Sequence, residues 1–142
     1  MKKYIFLLPL YNDWESFVLI SEKINDQLKL MNKYANILIV NDYSSKKPPK
    51  LSNYSNINNI EILNLNKNLG SQKAISVGLQ YLRKINDDRV ITILDSDGED
   101  DVTAIPRMIE KAENNKNNVI VSSRTKRQEN FFFKILYFTH KL

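Results

Sequence analysis

The sequence predicts an α/β protein: a three-layer sandwich built on a mainly parallel sheet. Three observations predict it. Short runs of β-branched and apolar residues alternate with stretches whose apolar residues recur at helical spacing. Each of five such runs ends in a polar or acidic cluster. No internal repeat and no linker rich in proline or glycine divides the 142 residues, a length that suits one domain.

Tyr4 to Leu8 reads as a buried first strand. Lys2 and Lys3 before it suggest a signal peptide. The run is short, however, is stopped by Pro9, and leads to Asn12-Asp13 with no small-residue cleavage site. Trp14, Phe17, Val18, Ser21, Ile24 and Leu28 follow at the spacing of one helix face. Ile37 to Val40 is a second strand by its β-branched content, ending at Asn41-Asp42 before a polar loop with Pro48-Pro49. Ile60 to Leu65 makes a short third strand. Gly70-Ser71 opens a second helix whose face is Ala74, Ile75, Gly78, Leu79 and Leu82. Val90 to Leu94 is the fourth strand, ending in Asp95-Ser96-Asp97. Thr103 is placed to cap a third helix, with Pro106 in its first turn and Ile105, Met108, Ile109 and Ala112 facing inward. Val119 to Val121 completes the sheet as a fifth strand.

Composition narrows the function. There is no cysteine, which excludes disulfides and thiolate metal sites and fits a reducing, cytoplasmic compartment. The net charge of +5 is spread over abundant lysines without forming an extended basic stripe, so nucleic acid is not an expected partner. No run approaches the roughly 18 apolar residues of a membrane span. His140 is the single histidine, and it reads as a surface residue. No Ser/His/Asp or Cys/His arrangement and no glycine-rich nucleotide fingerprint is present.

In a parallel sheet, ligands bind beyond the C-terminal strand ends, where the unusual polar residues of this sequence collect. Asp95 and Asp97 are two apart, so they share a face if the strand persists. Two carboxylates about 4 Å apart repel by roughly 4 kcal/mol at an effective dielectric near 20. Solvation, a proton or a cation relieves that repulsion. Oxygen-only ligands suit Mg²⁺ or Mn²⁺ bound jointly with substrate phosphates; the plain alternative is a solvated acidic turn before a helix. Asp42 is placed either to accept hydrogen bonds from a nucleobase or ribose, or to close an Asx turn with Ser44. Asn68-Leu69-Gly70 is either a simple turn or a presentation of helix N-terminal amides to phosphate. Arg124 binds a phosphate or pairs with a local acid.

In this order the pieces resemble the family 2 glycosyltransferases, over Leu8 to about Arg127. Pro9-Leu10-Tyr11-Asn12-Asp13 is similar to that family's P-x-Y-N-E, and Val40 to Ser45 to its V-D/N-D-G-S-T segment. Asn68-Leu69-Gly70 with Ala74 and Gly78 is similar to its N-x-G…A…G, Asp95-Ser96-Asp97 to its D-x-D, and Ile105 to Ile109 to the following I-P-x-L/M-I helix. Asp95 to Asp100, and Val121 to Arg124 with Arg127 and Lys134, resemble the branch of dolichyl-phosphate mannose synthase and bacterial polyprenyl-phosphate glycosyltransferases.

The resemblance implies a GT-A, Rossmann-like nucleotide-sugar-binding domain over residues 1–142, lacking the C-terminal part of the full domain. It implies a nucleoside-diphosphate sugar donor, and a polyprenyl phosphate or glycan acceptor. Pro9, Tyr11, Asp13, Asp42, Asn68, Gly70, Lys73, Asp95, Arg124 and Arg127 would contact the nucleotide sugar. Asp97 would hold Mg²⁺ or Mn²⁺, with Asp95 and Glu99 assisting, in an inverting transfer. The apolar segment Phe131 to Phe138, flanked by cations, would place residues 131–142 as an interfacial helix at the cytoplasmic face of a membrane, or as a core helix. Three departures stand out: Tyr43 replaces a glycine, Glu99 replaces a glutamine, and nothing after Arg127 offers a catalytic base. The catalytic residue is therefore unassigned, and a non-catalytic nucleotide-binding relative of the same fold is the competing reading.

Overall fold

A computed structural model describes residues 3–84, 88–115 and 118–122. Its elements are β1 (Lys3–Leu10), α1 (Trp14–Leu30), β2 (Ala35–Asn41), β3 (Ile57–Asn64), α2 (Ser71–Arg83), β4 (Arg89–Ile93) and α3 (Ile105–Asn114). A single 3-10 turn, Val102–Ala104, leads into α3. The strands form one sheet in the order β3-β2-β1-β4, and every neighbouring pair is parallel.

The alternation of side chains along β1 explains the layers. Phe6, Leu8 and Leu10 point to one face, where they pack with Ile37 and Ile39 of β2, with Trp14, Phe17, Ile20, Ile24 and Leu28 of α1, and with Ile105 and Ile109 of α3. Ile5 and Leu7 point to the other face and meet Leu38, Val40 and Ala74 and Leu82 of α2. The sheet is thus covered on both sides, which is why β1 and β2 are continuous apolar runs. Gly78 lets α2 lie close to the sheet. A Cβ there would come within 2.5 Å of Leu7 and 2.8 Å of Val40.

Pro9 lies in a central strand without losing a ladder bond. Leu7 turns its polar backbone toward β4, accepting from the Leu94 amide at 3.2 Å, while Leu10 turns toward β2 and accepts from Asp42 at 2.8 Å. Pro9 has the same orientation as Leu7, but the pairing with β4 has already ended at Leu7 opposite Ile93. Its missing N–H therefore faces a place where no strand follows.

Four expectations are corrected. Residues 118–122 pair with no strand, and Val119 and Val121 are 88% and 80% exposed. A run of three β-branched residues is a strand only where it finds strand partners to bond to, and these residues bond to none of the four described strands. Thr103 does not cap α3, whose N-cap position is Ala104 with no side-chain bond; the side-chain cap is Asp101, one turn earlier, which accepts from the Thr103 amide at 3.0 Å at the start of the 3-10 turn. On α1, Ile20 is buried where Val18 was expected. On the helix faces of α2 and α3, Ile75, Leu79, Met108 and Ala112 are only partly covered. No helix among the described residues is long and apolar enough to cross a membrane. Residues 131–142, with the apolar segment expected to form a helix, lie outside the described residues, as does His140.

Candidate functional site at the strand ends

β1 continues into β2 and β3 on one side, while β4 lies on the other. The chain thus reverses direction across the sheet between β1 and β4, the position where such sheets open a crevice. A cavity of about 290 Å³ lies there, lined by Pro9, Leu10, Tyr11, Asp13, Asp42, Ser71, Asp95, Ser96 and Asp97. Among the described residues, its charged lining is four aspartates.

Asp42 is 3% exposed and joins two distant parts of the chain. Its Oδ1 accepts from the Leu69 amide and its Oδ2 from the Gly70 amide, both at 2.7 Å. The carboxylate thereby holds the turn into α2, and α2 begins at Ser71 with its N-terminus at the cavity. Gly70 takes φ +85, a left-handed conformation that glycine adopts freely. The Asx-type contact to Ser44 expected of Asp42 is made by its neighbour: Asn41 Oδ1 accepts from the Ser44 amide at 3.1 Å.

The loop after β4 presents its acids in alternation. Leu94 and Ser96 are buried, and Asp95 and Asp97 are exposed and both line the cavity, although β4 ends at Ile93 and a turn follows, so the strand periodicity does not extend to them. The loop is closed internally. Asp95 donates its amide to Asp100 Oδ2 at 3.0 Å, Glu99 donates its amide to Asp97 Oδ1 at 2.9 Å, and Gly98 has φ +78. Asp101 then caps the 3-10 turn. Hydrogen bonds from the Thr103 hydroxyl, then from the Thr103 amide, hold its carboxyl below the ordinary value of 3.8.

The loops after β1 and β2 are tied together by Asn12, itself at φ 60. Its Oδ1 accepts from the amides of Ser45 and Lys46 at 2.8 and 3.0 Å, and its amide donates to Ser44 Oγ at 2.8 Å. Trp14 Nε1 donates to the Lys46 carbonyl at 2.9 Å. Asp13 occupies the N-cap position of α1 but makes no side-chain capping bond, and it lines the cavity instead.

Of the candidate residues, Pro9, Tyr11, Asp13, Asp42, Asp95 and Asp97 come together around the cavity. Asn68, Gly70, Lys73 and Glu99 lie on the adjoining loops and first helical turn without lining it. Arg124 and Arg127 lie outside the described residues. Leu10, Ser71 and Ser96 line the cavity without having been singled out. Ser71 was legible as the first residue of a helix at a strand end; Ser96 is buried between two exposed acids, which only the alternation reveals. Among the described residues, no three Asp, Glu or His side chains converge into a cage for a cation. The oxygen-only pair Asp95 and Asp97 fits a hard divalent cation completed by ligand phosphates and water, the arrangement Mg²⁺ commonly takes.

Comparison with known proteins adds to this geometry. A family profile described as Glycosyl transferase family 2 matches residues 6–140. The undecaprenyl-phosphate 4-deoxy-4-formamido-L-arabinose transferase of Photorhabdus laumondii is 31% identical over 137 residues, covering 94% of this chain and 41% of that protein. The proteins of the same name from Yersinia enterocolitica and Yersinia pestis are each 31% identical over 138 residues, covering 94% of this chain and 40% of theirs. The chain thus spans about two fifths of the length of these curated relatives.

Proposed function

The chain belongs to glycosyl transferase family 2, and from that premise we propose that the cavity between β1 and β4 binds the nucleoside diphosphate of a sugar donor, with a divalent cation. The observation that carries the proposal is the acidic lining. Asp13, Asp42, Asp95 and Asp97 surround a cavity placed where this topology binds ligands. An anionic diphosphate is repelled by such a lining unless a cation stands between them.

The proposed division of labour follows from the positions of the side chains. Asp95 and Asp97 would hold Mg²⁺ or Mn²⁺. A cation held there would supply charge screening for the diphosphate leaving group. Asp42 fixes the α2 N-terminus, and Ser71 at that terminus meets the phosphates. Tyr11 and Asp13 line the side reached from β1 and meet the nucleoside. The acceptor is proposed to be a polyprenyl phosphate, because the relatives are named for transfer involving undecaprenyl phosphate. A phosphate acceptor is already ionised at neutral pH, which agrees with the absence of an assigned catalytic base. The reaction is then an inverting transfer at a membrane surface.

Thermal unfolding with added nucleotide tests the reading. A ligand bound only to the folded state at 100 times its Kd adds about 2.7 kcal/mol of stability. With Mn²⁺, UDP or GDP is expected to raise Tm by several degrees and adenosine alone to leave it unchanged. No shift with either diphosphate at millimolar concentration contradicts the proposal.

A further inference from the structure

We propose that Tyr43, the neighbour of the cavity-lining Asp42, is a nucleobase-stacking residue. The inference rests on the nucleotide-binding reading above and assigns that site a residue the family pattern lacks, since Tyr43 stands where that pattern carries glycine.

The backbone supplies the first observation. Tyr43 has φ 65, in the left-handed region that a bulky side chain rarely adopts. The surroundings fix it there. Its amide donates to the Asn41 carbonyl at 2.9 Å, Asn41 Oδ1 holds Ser44, and Asn12 holds Ser44, Ser45 and Lys46. The preceding residue, Asp42, is buried and bonded through both oxygens to the turn before α2. Strain maintained by so many bonds is characteristic of functional loops.

The side chain supplies the second. Tyr43 is 60% exposed, so its ring adds little to the core. Among the described residues, the ring and hydroxyl have no hydrogen-bonding or aromatic partner. A strained backbone that presents an idle aromatic ring gains nothing for the fold.

Position supplies the third. Tyr43 adjoins Asp42, which lines the cavity. Leu10 pairs with Asn41, so Tyr11 and Tyr43 follow the ends of adjacent strands. Tyr11 also lines the cavity and is 54% exposed. Tyr43 is itself not one of the lining residues but is the exposed chain neighbour of one, Asp42, beside the strand end that carries Tyr11. A ring at that place offers a flat apolar surface to a base, and stacking on one aromatic ring strengthens binding by about 5-fold to 140-fold.

The test compares Tyr43→Asn, Tyr43→Phe and wild type in calorimetric titrations with UDP, GDP and inorganic pyrophosphate, all with Mn²⁺. Asparagine adopts the left-handed region readily, so Tyr43→Asn keeps the loop and removes only the ring. Its Tm is expected to equal or exceed that of wild type. Affinity for the preferred nucleotide is expected to fall at least about 5-fold in Tyr43→Asn and to persist in Tyr43→Phe. Pyrophosphate, which has no base, is expected to bind all three alike. Unchanged nucleotide affinity in Tyr43→Asn, or an equal loss for pyrophosphate, overturns the role of Tyr43 alone. A wild type that binds neither nucleotide overturns the nucleotide site and the role of Tyr43 together.

Discussion

Both oxygens of Asp42 are engaged by the amides of Leu69 and Gly70, so replacing this residue acts on the fold as well as on the ligand. Hydrogen bonds to a charged group contribute about 1.5–3 kcal/mol. Asp42→Ala is expected to lower the unfolding free energy by about that amount, measured by urea denaturation. Nucleotide affinity is expected to fall with it, because the α2 N-terminus loses its anchor. Wild-type affinity in a destabilised variant would restrict Asp42 to the structural role. The position of Asp42 at the edge of the sheet was legible from its place after a buried strand. Its partners were not, because they lie 27 and 28 residues away and meet it only through the packing of α2. Asp101 gives a second prediction at this scale. Its carboxyl is held below 3.8 by Thr103, so the folded chain binds that proton less readily than the unfolded one. The stabilisation is therefore present above 3.8 and is lost as pH falls through the lower folded value. The Thr103 amide resonance should follow this titration, with a midpoint below 3.8 that disappears in Asp101→Asn. A midpoint at or above 3.8 would count against the cap.

At the scale of elements, the close approach of α2 to the sheet depends on Gly78. Alanine favours a helix by about 1 kcal/mol over glycine, but overpacking a core costs about 1–3 kcal/mol. With Leu7 and Val40 within 2.8 Å of the added Cβ, packing outweighs propensity. Gly78→Ala is therefore expected to lower Tm by several degrees, and a Tm above wild type would show that α2 can shift freely. The strands β1 and β2 were legible because both faces are buried, giving unbroken apolar runs. Sequence also located Pro106 correctly in the first turn of α3. The cap was misassigned because Asp101 and Thr103 are both good capping residues, and only the 3-10 turn before α3 decides between them. The expected fifth strand at Val119 to Val121 failed for a different reason. Its composition suits a sheet, but strand formation depends on neighbours, and composition does not report whether those are present.

At the scale of the whole molecule, topology concentrates charge against the overall balance. The chain carries a net +5, yet the described charged residues lining the cavity are all aspartates. That concentration was legible as a series of acidic strand ends, because a parallel sheet sends all its C-terminal ends to one edge. The order β3-β2-β1-β4 was not legible, although it is what sets Asp95 and Asp97 across the crevice from Tyr11 and Asp13. The central claim is that this acidic cavity binds a nucleoside diphosphate through a shared cation. Calorimetric titration of UDP and GDP into wild type and Asp97→Ala, each with Mn²⁺ and again with EDTA, measures it most directly. The expected result is a wild-type affinity at least about 10-fold higher with Mn²⁺, equivalent to about 1.4 kcal/mol, and no difference between the two conditions for a folded Asp97→Ala. Equal wild-type affinity with Mn²⁺ and with EDTA would contradict it.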